Sequence, residues 1–406
     1  CKPSLTNHQQ PNRTEGKTIA DLFQSVPFKR ASAVVWLAML GALVANIQPM
    51  FLGAIAEVYG FNGSQLGFIG GAELGGGCLA SICALYWFPR VDLDKVITLA
   101  LVVSVLGNLL TPVATNYYSF LLVRFCTALF GTGVLYAIIL GVIGQMNNPE
   151  RLIASAIILQ VASVAAFMIL IPALVASGGM TPVTLCVAAL MATGLYVKRY
   201  LVIPTDESPD KPIIGSLRTL IWGLPGLALL GIVVFDAGVS SIWAFAERLG
   251  SGAGFSMSDS GMALAIGSVV GVTGAIFSAY LGLRRGRYMP VIWSILGLLI
   301  ACYMFTKIEN WFSYMIAIGL LNFFWNFALP YLLGSVATFD KTGRLMVLIP
   351  AAQSAGFAVG PILSGLFIVG TDYSVSVLIA AGSFLLCAAI VVPILLRMEK
   401  KQVGQK

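Results

Sequence analysis

The sequence predicts an all-α integral membrane protein with twelve transmembrane helices, arranged as two pseudo-symmetric six-helix bundles. Of its residues 58% are hydrophobic and only 10% are charged, and the mean hydropathy is +0.91, which excludes an ordinary soluble domain. About twelve apolar stretches have the roughly 20 residues that a helix needs to cross about 30 Å of hydrocarbon. The second six stretches repeat features of the first six, at an offset of roughly 190–194 residues.

The predicted spans follow one another through short loops, which leaves no soluble domain. In order, they are 34–59, 65–87, 95–115, 118–146, 152–176, 181–203, 219–246, 260–283, 288–306, 311–337, 345–369 and 374–396. A charged, proline-rich stretch at 204–218 separates the sixth span from the seventh and is typical of a linker between halves. The expected domains are a tail at 1–33, a bundle at 34–203, the linker at 204–218, a bundle at 219–396 and a tail at 397–406.

The repeat extends to individual polar and glycine residues. The aligned pairs are Asn46 with Asp236, Glu57 with Glu247, Gly60 with Gly250, Gly67 with Gly261, Gly77 with Gly271, and Gln160 with Gln353. Many secondary transporters are built from a duplicated six-helix unit and bind substrate between the halves. A carrier is therefore the leading interpretation.

The net charge of +7 reflects membrane topology, so no nucleic-acid partner is expected. If the N-terminus is cytoplasmic, all but three of the 24 Lys and Arg residues fall on the inner side; the exceptions are Arg124, Arg248 and Lys307. This positive-inside bias predicts that both termini are cytoplasmic, in what we expect to be a bacterial inner (plasma) membrane. The polar, basic first thirty-odd residues do not resemble a cleavable signal.

Membrane-embedded enzymes and metalloproteins are disfavoured by the residues present. The one histidine, His8, lies in the polar N-terminal tail. Six of the seven cysteines lie within spans and lack metal-ligand spacing, so they are interpreted as small packing residues. No nucleophile–base set or pair of intramembrane carboxylates is evident. We therefore expect no enzyme activity, no cofactor, no metal and a monomer in the lipid bilayer.

Three local patterns, with the architecture, resemble the major facilitator superfamily over roughly 30–397. The stretch 279–287, which includes Arg284, Arg285, Gly286 and Arg287, is similar to the family's cytoplasmic gate motif. The stretch 122–125 with Gly131 resembles the family's second motif, in which an arginine, here Arg124, lies inside the membrane. The stretch 356–361 with Gly365 resembles its glycine–proline helix motif, which antiporters carry in span five but which lies here in span eleven.

The gate motif departs from the family pattern in both copies. Its acidic position is Leu283 in the second copy, and it is Pro89, followed by Arg90, in the first. Asp92 or Asp94 is available to substitute for the missing acid. The cytoplasmic gate residues predicted by the resemblance are Arg90, Asp92, Arg284, Arg285, Gly286 and Arg287.

Three ionisable residues lie at membrane depth and are functional candidates, because a charge there costs several kcal/mol. Glu73 lies about 12 Å and Arg124 about 9 Å from the outer ends of their spans, so the two can pair. That pair is either a structural ion pair or a proton-coupling pair. Asp236, about 16 Å from the outer end of span seven, has no obvious basic partner in its half and is a candidate for substrate contact or proton transfer.

Polar and aromatic residues in the spans that line the cavity in this family are candidates for substrate contact. They are Asn46, Gln48, Tyr136, Gln160, Ser240, Ser241, Trp243, Asn322, Trp325, Asn326 and Gln353. Amides in membrane helices also serve to bond one helix to another. Glu57, Glu247 and Arg248, at outer span ends, are expected to be solvated caps or an outer gate.

The residues together predict a carrier that moves a small organic solute by alternating access, coupled to protons through Glu73 or Asp236. Because intramembrane acids outnumber Arg124, a neutral or cationic solute is favoured over an anion. A uniporter without proton coupling and a transporter-like sensor or scaffold are the alternatives. A channel is disfavoured by the two-fold repeat and by the absence of a filter segment.

Overall fold

The computed structural model describes residues 26–87, 91–146, 148–201, 223–339 and 348–403. Within these residues the chain forms twelve helices of membrane-crossing length, α1 to α12. They are α1 (Val26–Asn46 and Gln48–Tyr59), α2 (Gly63–Trp87), α3 (Leu93–Leu110), α4 (Tyr117–Thr127, Ala128–Thr132 and Gly133–Gly144), α5 (Pro149–Gly178), α6 (Met180–Val197), α7 (Leu224–Trp243 and Ala246–Gly252), α8 (Met257–Leu281), α9 (Tyr288–Thr306), α10 (Trp311–Phe339), α11 (Ile349–Phe367) and α12 (Ser374–Val403). Short 3₁₀ turns, Thr111–Val113 and Lys198–Tyr200, extend α3 and α6.

The helical two-bundle fold confirms the sequence prediction. Eleven of the described helices are long and apolar enough to cross a membrane. The twelfth, α11, falls outside that group because its prolines, glycines, serines and Gln353 dilute its apolar residues. It is nevertheless a 19-residue helix packed between the bundles.

The ends of the first and last helices differ from the predicted spans. The first helix begins at Val26, eight residues before the predicted start, and α12 continues through Arg397 and Glu399 to Val403. Good helix formers in these segments extend the helices beyond the apolar stretch from which a span is predicted. The predicted linker at 204–218 lies outside the described residues, so the domain boundaries stay a prediction.

Two helices carry local breaks near their middle. In α1 the break falls at Ile47, because Pro49 has no N–H to donate to the preceding turn. In α4 the residues Ala128–Thr132 form a π-helical turn directly after the segment that contains Arg124. Such π-turns are frequent at functional sites.

The packing inside the first half recurs inside the second. The pairs α1–α5, α1–α4, α2–α4 and α3–α6 are in contact, and so are their counterparts α7–α11, α7–α10, α8–α10 and α9–α12. The two halves meet along α2–α11 and α5–α8, which are themselves equivalent under the repeat. The duplication read from the sequence is thus a duplication of structure.

Glycines allow the backbones of the two halves to touch. A Cβ on Gly67 of α2 would lie 2.5 Å from the carbonyl oxygen of Pro361 in α11. A Cβ on Gly261 of α8 would overlap the carbonyl oxygen of Met168 in α5. These two glycines are an aligned pair in the sequence repeat, so equivalent interfaces depend on equivalent glycines.

Candidate functional site

In the first half, three helices bring Asn46, Gln160 and Tyr136 together. Asn46 Nδ2 donates a hydrogen bond to Gln160 Oε1 at 3.3 Å, and the Tyr136 side chain hydrogen-bonds to Gln160. All three side chains are half-buried. We call these residues, from α1, α5 and α4, the N-half triad.

In the second half, the equivalent helices bring Asp236, Gln353 and Trp325 together. Trp325 Nε1 donates a hydrogen bond to Asp236 Oδ1 at 3.3 Å, and the Gln353 side chain also interacts with the carboxylate. The Trp325 ring packs edge-to-face on Phe357, with 5.7 Å between centroids. We call Asp236, Gln353 and Trp325, from α7, α11 and α10, the C-half triad.

The two triads are copies of one arrangement. The sequence repeat aligns Asn46 with Asp236 and Gln160 with Gln353, but it gives no signal for Tyr136 and Trp325 because their identities differ. The structure adds this third pair, since each ring comes from the fourth helix of its half, although Tyr136 contacts Gln160 whereas Trp325 contacts Asp236. Each half therefore contains a glutamine amide, an aromatic side chain that can donate a hydrogen bond, and a polar group that differs between the halves, Asn46 in the first and Asp236 in the second.

Asp236 is the electrostatic exception in this arrangement. It is fully buried, and its Oδ2 has no hydrogen-bond partner among the described residues. None of the described ion pairs includes it. A buried oxygen without a partner is costly, so this atom is ready to accept a proton or a hydrogen bond from a solute.

Glu73 and Arg124 form a buried ion pair between α2 and α4. Arg124 also donates hydrogen bonds to Asn108 Oδ1 at 3.1 Å and to Thr111 Oγ1 at 3.2 Å. Its guanidinium lies 4.9 Å from the centroid of the Phe51 ring. Arg124 is thus held by α2, α3 and α1 as well as by its own helix, which fits an anchoring position.

Several other predicted cavity residues bond one helix to another instead. Gln48 donates to the carbonyl of Gly70 at 3.1 Å, which ties α1 to α2. Ser240 and Ser241, both fully buried, approach the carbonyls of Gly356 and Gly360 in α11, each at 3.3 Å.

The remaining predicted cavity residues, Trp243, Asn322 and Asn326, all belong to helices of the second half. Asn322 and Asn326 donate to backbone carbonyls of their own helix, and both lie close to Gly271 of α8. Trp243 is half-buried at the break in α7.

At the end of the bundle predicted to face outward, called here the outer end, α7 presses against α1. Glu247 is only 1% exposed, and its carboxylate lies where a Cβ on Gly53 would be. Arg248 donates to both oxygens of Glu247, with the NH2 contact at 2.8 Å. Glu247 is therefore buried in a contact between the halves and is not a solvated cap.

At the opposite, inner end, the predicted gate residues belong to two loops, one before α3 and one between α8 and α9. Asp92 caps α3 and pairs with Lys95 at 3.2 Å, and the Lys95 ammonium holds the pKa of Asp92 below its usual value. Arg284 and Arg285 are exposed, and Arg90 lies outside the described residues. Asp94 pairs with Lys198 of the turn after α6 at 2.7 Å.

A carboxylate from another helix takes part in the second gate motif. Glu399 of α12 accepts hydrogen bonds from the backbone N–H groups of Arg287 at 2.6 Å and Tyr288 at 3.3 Å. It lies against Gly286, whose φ of +70° favours glycine. A carboxylate from far along the chain thus contacts this stretch, whose own acidic position is Leu283, and no local sequence signal indicates the contact.

Comparison with known proteins gives one family and a consistent set of folds. The family model described as Major Facilitator Superfamily matches residues 34–339 and 228–406. No curated protein matches the sequence significantly.

Solved transporters share the fold at low sequence identity. The nucleoside transporter NupG has a TM-score of 0.72 at 12% identity, covering 90% of this chain and 98% of its own. A D-xylose-proton symporter has 0.67 at 12% identity, covering 89% and 97%. A bacterial homologue of the human lysosomal transporter Spinster, inward-facing and without bound ligand, has 0.66 at 13% identity, covering 92% and 96%.

Proposed function

Because the chain belongs to the Major Facilitator Superfamily, we propose that it is a secondary active transporter that moves a small organic solute by alternating access, coupled to protons. The observation that carries this proposal is the pair of triads. Each half holds an equivalent polar cluster, and only one of the two clusters contains an acid. An arrangement of this kind, at the interface of inverted or parallel repeats, is where transporters bind their substrates.

The contacts between the halves support alternating access. At the outer end the halves touch through Gly53 and Glu247, and glycines bring the backbones of α2 and α11, and of α5 and α8, into close contact. Backbones in close contact through glycine can rock without repacking large side chains. Separation of α1 from α7 would open the outer end, while the triads stay within their own halves.

The chemistry of the triads favours a neutral or cationic solute with hydrogen-bond donors. The amides of Gln160 and Gln353 both donate and accept hydrogen bonds. Asp236, when it is ionised, can accept hydrogen bonds but cannot donate them. Tyr136, Trp325 and Phe357 offer rings on which a flat or partly apolar solute can pack. Two structural neighbours are named for a nucleoside and for D-xylose, which are compatible with these groups, but at 12% identity they support only the fold.

Asp236 is the first choice for the proton-coupling residue. Among the described residues, one oxygen of its carboxylate has no hydrogen-bond partner and no ion pair includes it, so protonation would remove a buried charge that these residues do not compensate. Glu73 is the second choice, because its charge is already neutralised by Arg124. The pair is therefore interpreted as an anchor of the first half.

The test begins with a substrate screen on the detergent-purified protein. Thermal unfolding against nucleosides, sugars, amino acids, organic acids and lipophilic cations should give one responsive class, since a ligand at about 100 times its dissociation constant stabilises by about 2.7 kcal/mol. The radiolabelled hit is then followed into proteoliposomes with and without a pH gradient. We expect the gradient to drive accumulation in the wild type.

Three variants assign the coupling residue. Asp236→Asn should abolish the response to the pH gradient. Glu73→Gln should retain the response, provided that the variant protein folds. Asp94→Asn, which changes an ion pair at the inner end, is the matched control. If Asp236→Asn and Glu73→Gln both keep the full response, the proton proposal is wrong. Transport of the hit without any gradient response in the wild type would favour the uniporter, and a ligand that binds but is not transported would favour the sensor.

We also propose that the protein works as a monomer in a bacterial inner membrane with both termini in the cytoplasm, and the positive-inside bias supports this orientation. Impermeant thiol reagents distinguish the two orientations when single cysteines replace Asn62 at the outer end and Arg151 at the inner end, in a background without other cysteines. Labelling of position 62 from outside intact cells, without labelling of position 151, is the expected result.

A further inference from the structure

The inner end of α6 carries a cluster of cations and aromatic rings that the transport proposal does not use. The Arg199 guanidinium lies 3.5 Å from the centroid of the Tyr196 ring and 4.7 Å from that of Tyr200. Lys29, from the first turn of α1, lies 5.9 Å from the centroid of the Tyr200 ring. Two helices therefore place two positive charges around the same ring.

The cluster lies at the end of a surface that faces lipid. The exposed residues along α6 and the turn after it lie on one side of the helix and form one stripe: Thr181, Leu185, Ala189, Ala192, Thr193, Tyr196 and Arg199. A largely apolar stripe on a membrane helix is the face that contacts acyl chains. Its last members are a tyrosine that is 60% exposed and an arginine, at the depth where tyrosines mark the membrane interface.

The charges of the cluster are available to a ligand. Arg199 donates to the Tyr200 hydroxyl at 2.5 Å, which engages one of its five N–H donors. Stacking on Tyr196 fixes the guanidinium plane, so little rotamer freedom remains to be lost on binding. Among the described residues, two acids at this end are engaged elsewhere: Asp94 bonds Lys198 at 2.7 Å and Asp92 pairs with Lys95 at 3.2 Å.

We propose that Lys29, Tyr196, Arg199 and Tyr200 form a binding site for the headgroup phosphate of an anionic phospholipid in the cytoplasmic leaflet. The phosphate accepts hydrogen bonds from Arg199 and is attracted by Lys29, while the acyl chains lie along the exposed stripe of α6. Basic pockets between membrane helices on the cytoplasmic side bind anionic headgroups in this way. The lipid joins α1 to α6 at the inner edge of the first half, where Trp36 Nε1 already donates to Thr193 Oγ1 at 2.8 Å.

The test measures thermal unfolding of the detergent-purified full chain against three probes. Dioctanoyl phosphatidylglycerol carries both the anionic headgroup and the chains, dioctanoyl phosphatidylcholine carries the chains under a neutral headgroup, and inorganic phosphate carries the anion alone. We expect only phosphatidylglycerol to raise the unfolding temperature at low concentration. An equal response to phosphatidylcholine, or full reproduction of the response by inorganic phosphate, would overturn the lipid assignment.

Variants assign the response to these residues. Each of Lys29→Gln and Arg199→Gln should raise the half-maximal phosphatidylglycerol concentration about fivefold, since a basic residue near a membrane surface contributes about 1 kcal/mol. Arg199→Lys, which keeps the charge but loses the planar stacked donors, should fall between wild type and Arg199→Gln. Arg151→Gln removes an exposed arginine of the same end without adjacent rings and should leave the concentration unchanged. Equal effects of Arg151→Gln and Arg199→Gln would show a diffuse surface charge and contradict the site.

Discussion

The two halves bury acidic side chains in opposite ways. In the first half Glu73 is neutralised by Arg124, which three neighbouring helices hold in place. In the second half Asp236 contacts an indole and an amide, and one of its carboxylate oxygens has no hydrogen-bond partner in the part of the chain that the structure describes. The difference teaches that burial of an acid does not by itself identify its role: a fully compensated acid holds helices together, whereas an uncompensated one can change its protonation or its partner.

Removal of one ion-pair partner should have the largest effect on stability. Arg124→Gln leaves Glu73 buried without its cation, and breaking a buried pair from one side costs about 3–5 kcal/mol. Asp236→Asn should destabilise the protein much less than Arg124→Gln does, because it leaves no buried charge without its partner. Thermal unfolding of both variants in the same detergent measures the contrast.

The double variant Glu73→Gln/Arg124→Gln serves as the control for that contrast. It should recover much of the stability lost by Arg124→Gln, because neither charge is then left alone. Equal destabilisation by Asp236→Asn and Arg124→Gln would contradict the interpretation of Glu73–Arg124 as a structural anchor and of Asp236 as the proton-coupling residue.

Substitution of the aromatic residues of the two triads should have the next largest effect, and the effect on substrate binding should differ between Trp325 and Tyr136. Trp325→Phe removes the donor to Asp236, and a hydrogen bond to a charged group is worth about 1.5–3 kcal/mol. Tyr136→Phe removes a bond to a neutral amide, worth about 1 kcal/mol. The measurement is the half-maximal concentration of the screened substrate in thermal unfolding, with the larger rise expected for Trp325→Phe. A larger rise for Tyr136→Phe would place the dominant substrate contact in the first half.

Substitution of the two aligned glycines between the halves should have equal effects, whereas substitution of the two buried acids should not. Gly67→Val and Gly261→Val each insert a side chain where a backbone carbonyl lies, and overpacking costs about 1–3 kcal/mol. Both should shift the protein away from the state seen here, in which α1 and α7 are in contact at the outer end through Gly53 and Glu247. The readout is the spin-label distance between cysteines at Asn62 and Asp372, in a background without other cysteines.

Gly382→Val is the matched control, because nothing lies within 4 Å of a Cβ at that position. A shift confined to one of the two interface glycines would show that α2–α11 and α5–α8 are not equivalent during transport. The equivalence seen in the packing would then be a property of this one state.

The exposed ion pair at the inner end should give the smallest effect. Lys198→Gln breaks its contact with Asp94, whose side chain is 61% exposed, and such pairs contribute about 0.2–1 kcal/mol. Thermal unfolding at low and high salt checks this, since screening should reduce the difference between variant and wild type. A loss as large as that of Arg124→Gln would mean that the α3–α6 contact anchors the first half.

Much of the candidate site followed from the sequence, and the limits of that prediction have identifiable causes. Depth counted along a helix placed Glu73 and Arg124 at similar levels, and the structure pairs them. The repeat aligned Asn46 with Asp236 and Gln160 with Gln353, which the structure places in equivalent triads. It did not indicate that Ser240 and Ser241 bond to α11, because the direction of a side chain depends on how its helix is rotated in the bundle.

The class of protein, the approximate spans and the two-fold repeat could be predicted from the amino-acid sequence. Hydrocarbon requires long apolar helices whose backbone bonds are satisfied internally, so composition and period reveal them directly. Only the tertiary structure decided which acid is compensated, which rings complete the triads, and that Glu399 supplies a carboxylate to a distant loop. These facts depend on contacts between residues far apart in the chain, and no local pattern records the rotation and docking of one helix against another.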